Sequence, residues 1–182
     1  MKTTKTDPTR IYGAHSLLIG ILLVILGTAG LAAPGLMSIA TAVYVAWMLI
    51  IGGAFWSYHT WKSNRGHLMD WLKPFVLILT GGLMLFYPLS GVAAVGLLLA
   101  VYLLLDAFGS FVLARELHPK KGWAWMTFNG IISLLLAMLF LIGWPATSLF
   151  LVGIYVAISL IFDGWALIVI GWAARRASKD KK

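Results

Sequence analysis

The stretch from Trp71 to Leu113, WLKPFVLILTGGLMLFYPLSGVAAVGLLLAVYLLLDAFGSFVL, holds two long apolar runs separated by Tyr87-Pro88-Leu89. Each run is close to the roughly 20 residues that an α-helix needs to cross the hydrocarbon core of a bilayer. Only Lys73 and Asp106 carry charged side chains within the stretch. The pattern therefore predicts two membrane-spanning helices that are joined by a short turn at the proline.

The same pattern recurs along the whole chain of 182 residues, of which 61% are hydrophobic and 11% charged. A mean hydropathy of +0.93 excludes a soluble globular domain, because a chain of this length has too few polar residues to cover such a core. We predict an all-α integral membrane protein with six transmembrane helices in a single domain at 13–173, between basic tails at 1–12 and 174–182. The predicted spans are Ala14–Ala33, Met37–Trp56, Trp71–Tyr87, Gly91–Leu113, Trp123–Gly143 and Thr147–Trp172.

The distribution of basic residues predicts the orientation of these helices. The 14 Lys and Arg residues lie in the two tails and around the second and fourth connections, and the three connections that contain Pro34, Pro88 and Pro145 hold none. By the positive-inside rule, both termini and the two basic connections are expected in the cytoplasm, with the chain a multi-pass protein of the plasma membrane. The net charge of +8 is explained by this orientation and by contact with anionic lipid headgroups, since no nucleic-acid-binding motif accompanies it.

Three prolines mark an internal repeat. Pro34, Pro88 and Pro145 are spaced 54 and 57 residues apart, and each falls where a helix must end. We predict three parallel two-helix hairpins, at about 13–61, 71–115 and 123–173, related by a pseudo-threefold axis along the membrane normal. A two-plus-four arrangement of the helices stays open.

Small residues recur in register with these prolines. Gly13, Gly20 and Gly27 are spaced seven residues apart, which places a smooth stripe along the first helix where another backbone can approach. Gly81 lies seven residues before its proline, as Gly27 does, and Gly52 lies eighteen residues after its own. These glycines predict helix packing, with contacts inside the chain favoured over contacts between copies.

Asp106 and Asp163 are the only acidic residues well inside the predicted spans, and both lie eighteen residues after their prolines. A charged carboxylate at the centre of a membrane helix costs at least about 2.5–3.5 kcal/mol unless it is paired or protonated. Counting about 1.5 Å per residue places both nearer the cytoplasmic side than the midplane. Lys73 and Asn129 lie at matching heights on the preceding helices, so we predict the intra-hairpin pairs Lys73–Asp106 and Asn129–Asp163.

Two interpretations of the carboxylates follow. Tyr102 shares a helix face with Asp106 and Ser159 shares one with Asp163, so we expect both faces to point into the bundle. The carboxylates are either proton-responsive groups or fixed polar clamps between helices. We favour the clamp, because polar side chains commonly hold membrane helices together and no carboxylate is predicted at the midplane.

No pattern in the chain predicts catalysis. The sequence has no cysteine, and we find no phosphate-binding glycine loop, nucleophile elbow or metalloprotease helix. The spacing of the histidines, among them His118, matches no metal site, and we expect them at the cytoplasmic interface. We therefore predict no catalytic residue, no cofactor and no metal, and hence no enzyme.

The glycine and proline pattern resembles a known family. It is carried by Gly20-x6-Gly27 before Pro34, Leu49-Ile50-Ile51-Gly52-Gly53, Thr80-Gly81-Gly82 before Pro88, and Asn129-Gly130-Ile131-Ile132-Ser133 before Pro145. In these segments the chain resembles the HdeD-type acid-resistance membrane proteins of bacteria, over about residues 12–172. The resemblance implies a small inner-membrane protein linked to survival in acid and envelope stress. A small proton-linked transporter or channel stays open as an alternative, as does a membrane scaffold or accessory subunit that binds a second copy or another membrane protein.

Overall fold

The computed structural model describes the backbone of residues 8–63 and 68–179 and the side chains of residues 15–62 and 69–176. Six of the described segments are α-helices long and apolar enough to cross a membrane, which confirms the prediction of six membrane-type helices. The helices are α1 (Pro8–Ala32), α2 (Pro34–Ser63), α3 (Leu68–Phe86), α4 (Pro88–Leu117), α5 (Trp123–Ile142) and α6 (Ser148–Lys179).

The helices continue past the apolar runs into the basic flanks. α1 begins at Pro8 and α6 ends at Lys179, so helix extends into both of the segments that the sequence suggests as tails. The basic residues Lys2, Lys5, Arg65, Lys181 and Lys182 lie outside the described residues. For each helix, we call the end at its proline-containing connection the proline end and the other end the basic end.

Two of the three repeat prolines begin helices instead of ending them, which corrects the role that the sequence suggests. Pro34 is the first residue of α2 and Pro88 the first residue of α4, whereas Pro145 lies in the turn between α5 and α6. Proline suits the first helical position, because the N–H group that it lacks would have no partner inside the helix there. The Pro88 turn is closed by the N–H of Gly91, which donates to the carbonyl of Tyr87 at 3.0 Å.

The chain divides into two compact units. The smaller consists of the residues up to Met37 and those from Gly153 onward, and within it α1 packs against α6. The larger is Ser38–Val152, in which α2 packs against α3 and α4 against α5. Within the larger unit, α3 also contacts its hairpin partner α4, where Met84 lies against Gly91. The two helices of each of the pairs α2–α3 and α4–α5 are thus joined by a connection at their basic ends.

The same close approach of two backbones occurs in both units. A methyl group at Gly27 would lie 2.7 Å from the carbonyl oxygen of Ala157 on α6, and one at Gly81 would lie 2.7 Å from the carbonyl oxygen of Ala46 on α2. Ala46 and Ala157 each lie twelve residues after a repeat proline, and both are fully buried. Only glycine allows the helices to come this close, and the gain is van der Waals contact between backbones.

Candidate functional site: two intramembrane carboxylates

Asp106 lies in a hydrogen-bond network between α4 and α5. Its Oδ2 atom accepts a hydrogen bond from the Ser133 hydroxyl at 2.6 Å and one from the Asn129 amide at 3.3 Å. Asn129 also donates to the hydroxyl of Ser110 at 2.9 Å. Ser110 and Ser133 are both buried, so the network lies in the contact between the two helices.

Helical spacing on both sides produces this network. Asp106 and Ser110 are four residues apart on α4, and Asn129 and Ser133 are four residues apart on α5. Residues at this spacing project from the same face, so two polar groups on each helix meet two on the other. Interhelical hydrogen bonds of this kind contribute on average about 0.6 kcal/mol each in a membrane protein. The arrangement makes Asp106 a polar link between two helices.

The structure corrects both predicted pairs. Asn129 bonds to Asp106 and not to Asp163. The ammonium group of Lys73 lies 3.6 Å from the ring centroid of Trp56 on α2, which is a cation–π contact and not a pair with Asp106. Counting predicted both pairs within a hairpin, whereas Asn129 on α5 bonds to α4 and Lys73 on α3 contacts α2.

Asp163 has no such partner. Its side chain is exposed, and within the described part of the chain it makes no hydrogen bond and no ion pair. The repeat explains this difference, since the α1 positions that correspond to Asn129 and Ser133 are Leu18 and Leu22. Both leucines are exposed and neither can donate a hydrogen bond. A carboxylate therefore remains uncompensated on the surface of a membrane-type helix.

The backbone next to Asp163 is nevertheless tightly packed. A methyl group at Gly164 would lie 2.6 Å from the carbonyl oxygen of Gly20 on α1, and one at Gly20 would lie 2.7 Å from the carbonyl oxygen of Gly164. The contact fixes the rotation of α6 beside α1. Asp163 accordingly sits at the edge of the α1–α6 contact, with its side chain on the exposed surface.

The first repeat has no side chain at the position that holds an aspartate in the other two. Gly52, which lies eighteen residues after Pro34, has open space where a side chain would begin, with no atom within 4 Å. One position of the repeat thus carries no side chain in α2, a hydrogen-bonded carboxylate in α4 and an unpartnered carboxylate in α6.

The sequence analysis expected Tyr102 and Ser159 on helix faces that point into the bundle. Tyr102 is 57% exposed, so its face of α4 does not point inward as predicted. The buried face of α4 is instead formed by Leu103, Ala107 and Ser110, which lie towards α5. Ser159 is half-buried.

The sequence analysis did not predict the role of Ser133, although its spacing of four residues from Asn129 was the available signal.

Among the described residues, no three His, Asp or Glu side chains stand close enough together to hold a metal ion. The groups that the site offers are therefore hydroxyl, amide and carboxylate groups, which can exchange hydrogen bonds and protons.

Comparison with protein families matches the chain to a repeat family. The family described as a short repeat of unknown function (DUF308) matches residues 18–81, 74–142 and 139–182, which together cover most of the chain. The chain belongs to the DUF308 family. Three matches confirm the internal repetition that the prolines predict, and the first two begin at residues 18 and 74, close to the proline spacing. Comparisons of this DUF308 protein with curated proteins and with solved structures gave no match.

Proposed function

We propose that this DUF308 protein is an HdeD-type protein of the bacterial inner membrane that contributes to survival in acid without catalysing a reaction. HdeD-type proteins are members of the DUF308 family, which supports the resemblance seen in the glycine and proline pattern. In this proposal the three hairpins run parallel and both termini are cytoplasmic, as the positions of the basic residues indicate.

The observation that carries the proposal is the carboxylate of Asp163, which has no partner among the described residues. It lies inside the apolar span Ser148–Arg176, about 22 Å along the helix from Ser148. A charged carboxylate in such a place costs at least about 2.5–3.5 kcal/mol, and protonation removes that charge. Acidification therefore favours states of the protein in which this surface of α6 faces lipid or another apolar surface.

The two carboxylates have different roles in this proposal. Asp106 holds α4 to α5 through Ser133 and Asn129. Asp163 has no donor beside it in the described part of the chain, so nothing there compensates its charge. We infer that Asp163 is the proton-responsive group, and that a second copy or another membrane protein associates with α6 in acid.

The experiment is a survival assay at low external pH in a strain that lacks the gene. Complementation with the wild-type gene should restore survival, and Asp163→Arg should fail to restore it, because a guanidinium group keeps its charge in acid, whereas protonation removes the charge of the carboxylate. Asp163→Glu keeps a titratable carboxylate and should restore most of the survival. All variants are compared at equal membrane abundance.

A matched control makes the same change at an acidic group at the basic end of α4. Glu116 lies in the last turn of α4 and is exposed, so Glu116→Arg should restore survival as the wild type does. Full rescue by Asp163→Arg would remove Asp163 from the mechanism. If the deletion strain survives acid as well as its parent, the role in acid survival itself is wrong.

A further inference from the structure

A pocket of about 350 Å³ lies between the basic end of α4 and the start of α5. It is lined by Phe111, Ala114, Arg115, His118, Trp123 and Thr127. The apolar span of α4 ends at Leu117 and that of α5 begins at Trp123, so the pocket lies where both helices leave the apolar layer. This is the depth at which lipid headgroups meet water, and tryptophan is enriched there. The volume is within the range of small-ligand sites.

The charged wall of the pocket is formed by Arg115. Its side chain is exposed, and in the described part of the chain it has no ion pair and no hydrogen bond. Glu116 follows it in the sequence but makes no ion pair there either. Guanidinium offers a planar set of five donors that matches phosphate oxygens, and it stays charged at all relevant pH values. The guanidinium donors of Arg115 are therefore available to a ligand, as far as the described residues show.

A second donor stands beside it. The imidazole ring of His118 packs edge-on against the ring of Trp123, with 5.0 Å between the centroids, which fixes its place at the mouth of the pocket. Thr127 donates its hydroxyl to the carbonyl of Trp123 at 2.9 Å, so its proton is already used within α5. The donors available to a ligand are thus the side chains of Arg115 and His118.

The surroundings of the pocket carry further positive charge and apolar surface. Lys120 and Lys121 lie exposed in the connection between the two helices and raise the local positive potential. The remaining wall is apolar and aromatic, formed by Phe111, Ala114 and Trp123. Such a wall suits a ligand that joins an anionic group to hydrocarbon, and a small soluble anion would leave it uncovered.

We propose that this pocket binds the phosphate headgroup of an anionic phospholipid. Arg115 holds the phosphate oxygens, His118 donates a second hydrogen bond, and Phe111 and Trp123 cover the glycerol backbone of the lipid. The acyl chains continue along the exposed apolar surface of the helices, where Phe128 is 54% exposed. The binding site lies within the larger unit and is independent of the role of Asp163 in acid.

Native mass spectrometry of the full-length protein in mild detergent tests this site. Phosphatidylglycerol is the anionic probe and phosphatidylcholine with the same acyl chains is the zwitterionic probe. We expect one retained phosphatidylglycerol per chain and a clear preference for it over phosphatidylcholine. Arg115→Gln should weaken phosphatidylglycerol binding about tenfold, because glutamine keeps a hydrogen-bond donor but loses the positive charge. His118→Gln should weaken it less, and it serves as the second variant.

The control variant removes one positive charge on α6, outside the pocket. Arg175 is exposed near the basic end of α6, so Arg175→Gln should leave the retained lipid in place and change its affinity by no more than about threefold. Equal losses in Arg115→Gln and Arg175→Gln would show diffuse charge attraction and overturn the site. Displacement of the lipid by an equal concentration of inorganic phosphate would assign the pocket to a soluble anion and overturn the lipid proposal.

Discussion

At the scale of single residues, the repeat places the same chemical group in different surroundings. Asp106 and Asp163 both lie eighteen residues after a proline, yet among the described residues only Asp106 faces hydrogen-bond donors on the neighbouring helix. Substitutions at Asn129 and Ser133 would therefore affect one carboxylate, whereas the corresponding α1 residues Leu18 and Leu22 offer no donor to the other. The difference between the two aspartates lies in their neighbours and not in their own helices.

The first prediction compares the two aspartates as alanine variants. Asp106→Ala should lower the free energy of unfolding by about 1 kcal/mol, because it removes the acceptor for Ser133 and Asn129. Asp163→Ala removes a charge with no partner and should leave the free energy of unfolding unchanged or raise it. Unfolding by a denaturing detergent, followed by tryptophan fluorescence, measures both. A larger loss for Asp163→Ala would show that this carboxylate has a partner.

The second prediction concerns two buried serines at the proline ends of α2 and α6. The hydroxyl of Ser38 donates to the carbonyl of Leu149 at 2.6 Å, whereas the hydroxyl of Ser148 is buried and has no hydrogen-bond partner among the described residues. Ser38→Ala should lower the free energy of unfolding by about 1 kcal/mol, and Ser148→Ala should raise it by a similar amount, since an unpaired buried hydroxyl is unfavourable. Equal destabilisation by both variants in the same unfolding assay would argue against this assignment.

At the scale of helices, small residues decide which pairs approach closely. The α1–α6 contact brings the backbone at Gly20 against the backbone at Gly164, and the α2–α3 contact does the same at Gly81 and Ala46. Backbone atoms cannot yield as a flexible side chain does, so these positions have little tolerance for added volume. Glycines on exposed helix surfaces have no such constraint.

The third prediction tests this distinction. Gly20→Ala should lower the melting temperature, because the methyl group would lie 2.7 Å from a backbone oxygen of α6, and overpacking of this kind costs about 1–3 kcal/mol. Gly109→Ala is the matched control, since Gly109 has no atom within 4 Å of the added methyl group. Alanine is preferred over glycine inside a helix by about 0.5–1 kcal/mol, so the control should be neutral or slightly stabilising. A neutral Gly20→Ala variant would show that the two helices separate easily.

At the scale of the whole molecule, the distribution of charge predicts the orientation in the membrane. The connection that holds Pro145 has no Lys or Arg, and the connection between α4 and α5 has two lysines. By the positive-inside rule, this asymmetry predicts the Pro145 connection outside and the α4–α5 connection in the cytoplasm. The pocket that contains Arg115 would then face the cytoplasmic leaflet, which is the side rich in anionic lipid.

The fourth prediction uses the absence of cysteine, which makes any introduced cysteine the sole thiol. Ala146→Cys, in the exposed turn before α6, should react with a membrane-impermeant maleimide added to intact cells. Lys121→Cys, in the exposed connection before α5, should react only after the membrane is permeabilised. The reverse result would invert the orientation, and labelling of both positions in intact cells would contradict a single orientation.

The sequence by itself determined the six helices, their approximate limits and the threefold repetition. These features depend on local properties, namely the length of the apolar runs, the prolines that interrupt them and the charges that flank them. The height of each polar residue along its helix also follows from counting, since every residue advances the helix by about 1.5 Å. Counting alone predicted the pair Asn129–Asp163, whereas the structure joins Asn129 to Asp106.

Only the tertiary structure decided which carboxylate Asn129 binds. Counting along a helix fixes height but not the neighbouring helix, and six helices of similar composition permit several pairings. Close packing at small residues accompanies each pairing: Gly20 and Gly27 lie against α6, Gly81 lies against α2, and Gly130 on α5 lies against the ring of Phe111 on α4. In these pairs Asn129 bonds to Asp106, the ammonium group of Lys73 lies over the ring of Trp56, and Asp163 has no partner in the described part of the chain.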